Sequence, residues 1–310
     1  MSKKKYRITN WSEYNTALKQ RGSLTIWIEE GFEHTWYEPP QEINTRGRPL
    51  VYSDACIKLM VTLRHIFKLP LRQLEGFVQS LFSMLQVTLK VPEFSRISRR
   101  MKGALSELPS PSLEGNIHLV IDSSGLKVYG EKEWIYTQKK KSYQRRVWRK
   151  IHIGVDGKGV IHASEMTTHK TDDRACFIPL IDNIGAECIE ETLADSGYDS
   201  HSLYHECEKR GIIPLIPPSK TAMVSSRKEA SPQRNTIVTY IKEKGLHAWK
   251  AKHNFGRRNR VENTFFRLKT LFGRSFFSRT WANQEKEFHL LCYLLNQMTF
   301  LGMPKSVKVL

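Results

Sequence analysis

Three things are scarce in this chain. Cysteine is one: Cys56, Cys176, Cys188, Cys207 and Cys292 are scattered, odd in number, and form no CxxC pair. That spacing excludes a zinc knuckle and a disulfide framework. Cys56, Cys176 and Cys292 sit among apolar neighbours and read as small core residues. Long apolar runs are also missing. Nothing approaches the roughly 20 residues that cross a bilayer, and the basic start MSKKKYR has no apolar stretch behind it to act as a signal peptide. The expectation is a soluble protein of a reducing cytoplasm, without a membrane. Acid is the third shortage: 31 Asp and Glu stand against 49 Lys and Arg, for a formal charge of +18. An excess of that size points to a polyanionic partner, most often nucleic acid, with a solvated basic surface as the plain alternative. Core-forming material is not short. At 40% hydrophobic and 10% aromatic, the 310 residues argue against long disorder and allow one large core or two modest ones.

Residues 1–108 read as a helical region. Ser12 can cap a helix running to Gln20. The segment 44–50, NTRGRPL, fits a narrow AT-rich minor groove and fits a plain turn as well. Ser53 is a good N-cap for DACIKLMVTLRHIFKL, and Pro70 stops that helix. Leu74, Phe77, Val78, Leu81 and Leu85 then recur at three- and four-residue steps. After Pro92 a short helix, EFSRISRRMKGAL, turns Arg96, Arg99, Arg100 and Lys102 outward. Helix, turn and basic helix suit a reader of the DNA major groove; they also suit an ordinary α-hairpin with a basic surface. Pro109 and Pro111 mark a linker at 109–117.

From His118 the period changes. HLVIDSSGLKVYG is a β pattern with Asp122 in its middle, costly to bury unless paired or metal-bound. Next comes the densest basic run: Lys139, Lys140, Lys141, Arg145, Arg146, Arg149 and Lys150, interleaved with Tyr143 and Trp148. It suits a phosphate backbone with aromatic support. A hairpin then turns at Asp156-Gly157-Lys158-Gly159, with Asp156 as turn former. Asp172 and Asp173 suit the positive end of the helix that follows. ETLADSGYDS reads as a short strand with Asp195 at its carboxyl end, where ligand sites of such sheets gather. A helix at 201–210 and a strand in GIIPLIPP complete the pattern. The polar, basic stretch 219–250 reads as an insertion, in which Trp249 or His247 either stacks on a displaced DNA base or packs against the sheet. An apolar helix at 283–302 closes the chain.

Between the insertion and that closing helix lies FGRRNRVENTFFRLK, residues 255–269. At about 100° per residue, Arg258, Glu262, Phe265 and Lys269 share one narrow helical stripe. Val261, Leu268 and Phe272 turn to the adjoining face. A carboxylate held between cations suits a place where metal ions and phosphates meet. Taken alone, it equally suits a surface helix with an Arg258–Glu262 pair.

The order from 118 onward, three strands and then alternating helices and strands, is that of an α/β, ribonuclease-H-like mixed sheet. The first three strands can run antiparallel and the later ones parallel. The catalytic domain would span 118–310, after an all-α N-terminal DNA-binding region. With the first and fourth strands adjacent, Asp122 and Asp195 meet, and the late helix lays Glu262 across them. Three carboxylates are what a pair of magnesium ions needs: ions roughly 3.5–4 Å apart serve the attacking and leaving oxygens of an in-line displacement. The reaction class is phosphoryl transfer at a DNA phosphodiester.

Phe255, Arg258, Glu262 and Lys269 stand at the spacing of the Y-R-E-K signature, with Phe in place of the usual Tyr and its hydroxyl. Together with YNTALKQRGSLTIW at 14–27, WRKIHIGVD at 148–156, TDDR at 171–174 and DSGYDS at 195–200, they resemble the DDE transposases of bacterial insertion sequences, in the insertion-sequence-five group. The resemblance implies that Asp122, Asp195 and Glu262 hold two Mg²⁺ ions, with Mn²⁺ as a substitute, and that Arg258 and Lys269 contact the element's end. It implies cleavage at terminal inverted repeats and joining of 3′-hydroxyls to target DNA, within a homodimer or higher oligomer at the bacterial nucleoid. Two rival readings are a ribonuclease-H-like DNA nuclease and a catalytically silent DNA-binding protein derived from a transposase.

Overall fold

The computed structural model describes residues 5–39, 50–113, 115–128, 134–137, 142–145, 148–227 and 229–309. The chain divides into two compact units: Met1–Pro109 with Phe277–Leu310, and Ser110–Phe276. No helix among the described residues is long and apolar enough to cross a membrane.

In the first unit the helix Asp54–Ile66 begins as its cap residue dictates, with Ser53 Oγ accepting the Cys56 N–H at 3.0 Å. Pro70 separates it from Leu71–Met84, and Phe94–Ala104 follows. Each buries one apolar face, with Ile57, Met60, Leu74, Val78, Ile97 and Met101 inside, while Phe77 and Leu81 are half-buried and Leu85 is exposed. The helix Trp281–Leu301 packs beside Asp54–Ile66 and Phe94–Ala104. By its packing it groups with this unit and not with Ser110–Phe276. A helix that is apolar around most of its circumference must be buried, but its composition does not say by what. Nor is the unit all-α. Strands Lys5–Ile8 and Ser306–Val309 pair antiparallel, from Lys5 opposite Val309 to Ile8 opposite Ser306.

The second unit is built on a five-stranded mixed sheet: β1 (Ile117–Lys127), β2 (Trp148–Val155), β3 (Ile161–Thr168), β4 (Ile189–Leu193) and β5 (Ile213–Leu215), in the spatial order β3-β2-β1-β4-β5. β1, β2 and β3 run antiparallel, while β4 and β5 lie parallel to β1. The expected contact of first and fourth strands is thus present. A separate hairpin, Trp134–Thr137 with Ser142–Arg145, lies between β1 and β2 in sequence. Side chains alternate along β1. Leu119 and Ile121 enter a core with Phe177, Leu180 and Tyr204. Val120, Asp122 and Ser124 face the helix Asn259–Phe272, which crosses β1 and β2. Asp156 is the turn former between β2 and β3: its Oδ1 accepts the Lys158 and Val160 N–H groups at 2.8 and 2.9 Å. The 219–250 stretch contains one whole helix, Pro232–Lys244, and most of another, Leu246–Lys252.

Candidate active site

Strand register sets two carboxylates side by side. Val120 of β1 stands opposite Leu193 of β4, and Asp122 and Asp195 each lie two residues further on. Parallel strands about 4.8 Å apart, with a side-chain period of two, put both acids on one face. Asp122 remains inside β1, which continues against β2 to Lys127. Its Oδ1 accepts the Ser123 N–H at 2.8 Å. Asp195 lies past the end of β4 and caps the turn Ser196–Tyr198, its Oδ1 accepting the Gly197 N–H at 2.8 Å. A Cβ at 197 would stand 2.9 Å from that same oxygen, so any larger residue there would push the carboxylate aside.

The third acid comes from the helix Asn259–Phe272, whose buried Val261 and Leu268 fix its rotation. Arg258, at the N-cap, divides its guanidinium between two acids. One terminal nitrogen lies 3.3 Å from Asp122 Oδ2, and the other donates to Glu262 Oε1. The i,i+4 pair and the converging acidic site are therefore the same contact. Lys269 Nζ donates to Ser124 Oγ at 2.6 Å, two residues beyond Asp122 on the same face. Burial, and then the nearby Arg274, lower the Lys269 pKa. At Asp122, burial and then the charges of Asp195 and Glu262 push the carboxyl up, outweighing the Ser123 N–H and Arg258.

Asp122, Asp195 and Glu262 each offer hard carboxylate oxygens. Among the described residues, no three His, Cys, Asp or Glu side chains stand close enough together to enclose an ion. The Arg258 guanidinium is the cation that lies between Asp122 and Glu262. An Asp122 carboxyl raised by burial and by two acidic neighbours, and sharing a cation with one of them, fits a divalent ion.

Other expected DNA contacts fare differently. Trp249 is 1% exposed and packs at a tilt against His253 and Phe255, with ring centroids 5.2 and 5.3 Å away. It is a core residue and offers no face to a displaced base, whereas His247 is exposed. Phe255 lies in a 3-10 turn, Phe255–Arg258, ahead of the α-helix, and is buried as well. Lys150 is taken up internally, donating to the Thr171 carbonyl at 2.7 Å and pairing with Asp173 at 2.9 Å. Arg149 beside it is half-buried. Arg145 ends a strand opposite Trp134; Lys139, Lys140, Lys141 and Arg146, like 44–49 of NTRGRPL, lie outside the described residues. In the first unit, Arg100 is engaged by Asp54 and the Tyr52 carbonyl, and Arg96 lies over the Tyr52 ring at 5.9 Å. Arg99 is exposed.

Several supporting residues were not foreseen. Arg234, 8% exposed and inside the supposed insertion, grips Asp199 with two bonds of 2.6 and 2.8 Å. This ties the Pro232–Lys244 helix to the loop that carries Asp195. Glu191 is held by Arg257 and lies 3.1 Å from His118 Nδ1. Tyr198 is buried behind the site, where burial and then Asp173, Asp122 and Asp195 raise its pKa. The second acid of DSGYDS was the visible signal for Asp199; nothing local marks Arg234 as its partner.

Two acids on one face of neighbouring parallel strands, one inside its strand and one just past the end of its own, thus meet a third acid and two cations carried by the helix above. Two family models, each described as a transposase DDE domain, match residues 19–131 and 114–297, the second over more than half the chain. The chain belongs to the DDE transposase family. A solved structure, a piggyBac transposase synaptic complex with hairpin DNA, is a distant likeness at 12% identity and a TM-score of 0.40, covering 96% of this chain and 77% of that one.

Proposed function

We propose that this chain is a transposase that binds the terminal inverted repeats of an insertion sequence, cleaves DNA at the element's ends and joins the 3′-hydroxyls to target DNA. The observation that carries the reading is the β1–β4 register, which aligns Asp122 with Asp195, together with the Arg258 bridge from Asp122 to Glu262. The order and polarity of the five strands support a ribonuclease-H-like catalytic unit.

Asp122, Asp195 and Glu262 would hold two Mg²⁺ ions, which activate the attacking oxygen and stabilise the leaving one when bound. Asp122 supplies a fixed reference, being locked in a strand paired with β2 from Val120 to Lys127. Asp195 is oriented by the Gly197 N–H, and Glu262 by a helix seated on its apolar face. Lys269, held by Ser124 on the Asp122 face, places a positive charge where a scissile phosphate would lie. Arg258 offers a planar fork that matches a phosphate's geometry. Exposed Arg99, with Arg96, offers contacts to the duplex from the helical unit. Assembly on two element ends implies a homodimer or larger complex.

The test incubates protein, Mg²⁺ and labelled inverted-repeat ends with a target plasmid. Wild type yields nicked ends and joined products. Asp122→Asn, Asp195→Asn and Glu262→Gln each lose both by at least about a thousandfold while still binding the ends. Cleavage without joining would identify a nuclease instead. End binding with no cleavage in the wild type would identify a silent DNA-binding protein.

A further inference from the structure

The Arg258 guanidinium occupies oxygens that a metal ion would need. Its two terminal nitrogens reach different acids, Asp122 at 3.3 Å and Glu262 by a shorter contact. Only 19% of the side chain is exposed, so solvent screens the contact weakly. A guanidinium stays protonated at any working pH, so it cannot release the carboxylates by losing its charge; it must move. The means to move are present. Arg258 sits at the junction of the 3-10 turn Phe255–Arg258 and the helix Asn259–Phe272. Its side chain is long, and Glu262 is 52% exposed. A phosphate offers the same fork a bidentate partner of at least equal charge.

We propose that Arg258 is a tethered counter-ion that blocks metal loading until DNA draws it away. In the free protein it neutralises part of the Asp122–Glu262 pair and competes with a divalent ion for their oxygens. When a DNA phosphate approaches, the guanidinium transfers to it, and the freed oxygens of Asp122 and Glu262 face Asp195. Metal binding and DNA binding then reinforce each other, and each must strengthen the other by the same factor. The reaction is thereby confined to protein that already holds DNA. This inference rests on the proposed reading of the three acids as metal ligands.

The experiment measures Mn²⁺ affinity of the full chain by calorimetry and by the loss of free-ion paramagnetic resonance signal, with and without duplex DNA. Wild type binds Mn²⁺ weakly alone and on the order of tenfold more tightly with DNA. Arg258→Met keeps the length of the side chain and removes its charge. It binds Mn²⁺ without DNA on the order of tenfold more tightly than wild type, and DNA adds little further. Arg258→Gln provides a second uncharged variant, and thermal melts verify that both are folded. If both variants bind Mn²⁺ no more tightly than wild type, while wild type with DNA binds it in a manner abolished by Asp195→Asn, the counter-ion role is wrong and the metal-site reading stands. If no form binds Mn²⁺ under either condition, both are wrong.

Discussion

Two carboxylates in this molecule are withdrawn from water in opposite ways. Glu287, in the helical unit, is 1% exposed and accepts the backbone N–H groups of Phe277 and Ser278 at 2.7 and 2.8 Å, with His65 Nε2 at 3.4 Å. Burial pushes its pKa up, yet His65 and those donors hold it below the ordinary value. Asp122, in the sheet unit, has one backbone donor, a long contact to Arg258 and two acidic neighbours, and its pKa is raised. A structural acid has its acceptors filled, whereas an acid kept for a ligand is left short of positive charge.

The sharpest way to break this contrast is to remove each group in turn. Glu287→Ala strands His65 and two backbone donors in the core, and should cost about 3–5 kcal/mol in urea unfolding. A loss below about 1 kcal/mol would put Glu287 in the same class as Asp122.

A second test asks whether the sheet unit also buries titratable groups for structure. His152 is fully buried with Nε2 2.8 Å from Thr167 Oγ1, and burial lowers its pKa from 6.5 to about 4. The folded state therefore refuses a proton that the unfolded chain accepts. Stability is complete above about pH 6.5 and falls as the pH drops toward about 4, by up to ~3 kcal/mol, before levelling. Urea titrations at stepped pH would show this slope, and His152→Gln should flatten it.

The smallest effect is the most diagnostic of the site. Asp122→Asn removes a carboxylate whose neighbours repel it, so stability should stay level or rise by about 0.5–1 kcal/mol while strand transfer is lost. Acid adds a sign test. Glu287, with its lowered pKa, contributes stability that is lost as pH falls below its ordinary 4.5. Asp122, with its raised pKa, binds its proton more readily when folded, so its protonation favours the folded state as pH falls toward 3.8. Comparing the acid limbs of Glu287→Gln and Asp122→Asn with wild type separates the two.

Much of the sheet was legible because two local rules determine it. Period-two apolar patterning marks strands, and helical crossovers make neighbouring strands parallel. Together they place the strand of Asp122 beside the strand that leads to Asp195. The Arg258–Glu262 pair was legible from i,i+4 spacing alone. What could not be read were choices made by distant packing. Trp249 in a polar stretch gave no sign that Phe255 and His253 would enclose it. Lys150 belonged to an evident basic run, but Asp173, which claims it, lies 23 positions away. The Trp281–Leu301 helix advertised its burial without naming the helices it would join.

β1 outlasts its partner β4: pairing between them ends at Val120 and Leu193, while β1 runs on to Lys127 along β2. Asp122 sits just beyond that parting, clamped on one flank and open on the other. Asp195 and Glu262 approach the open flank from a turn and a helix, neither of which is hydrogen-bonded into the β1–β2 ladder. Of the three acids, Asp122 is thus the one whose position the sheet dictates, while the other two are placed by elements outside the β1–β2 ladder.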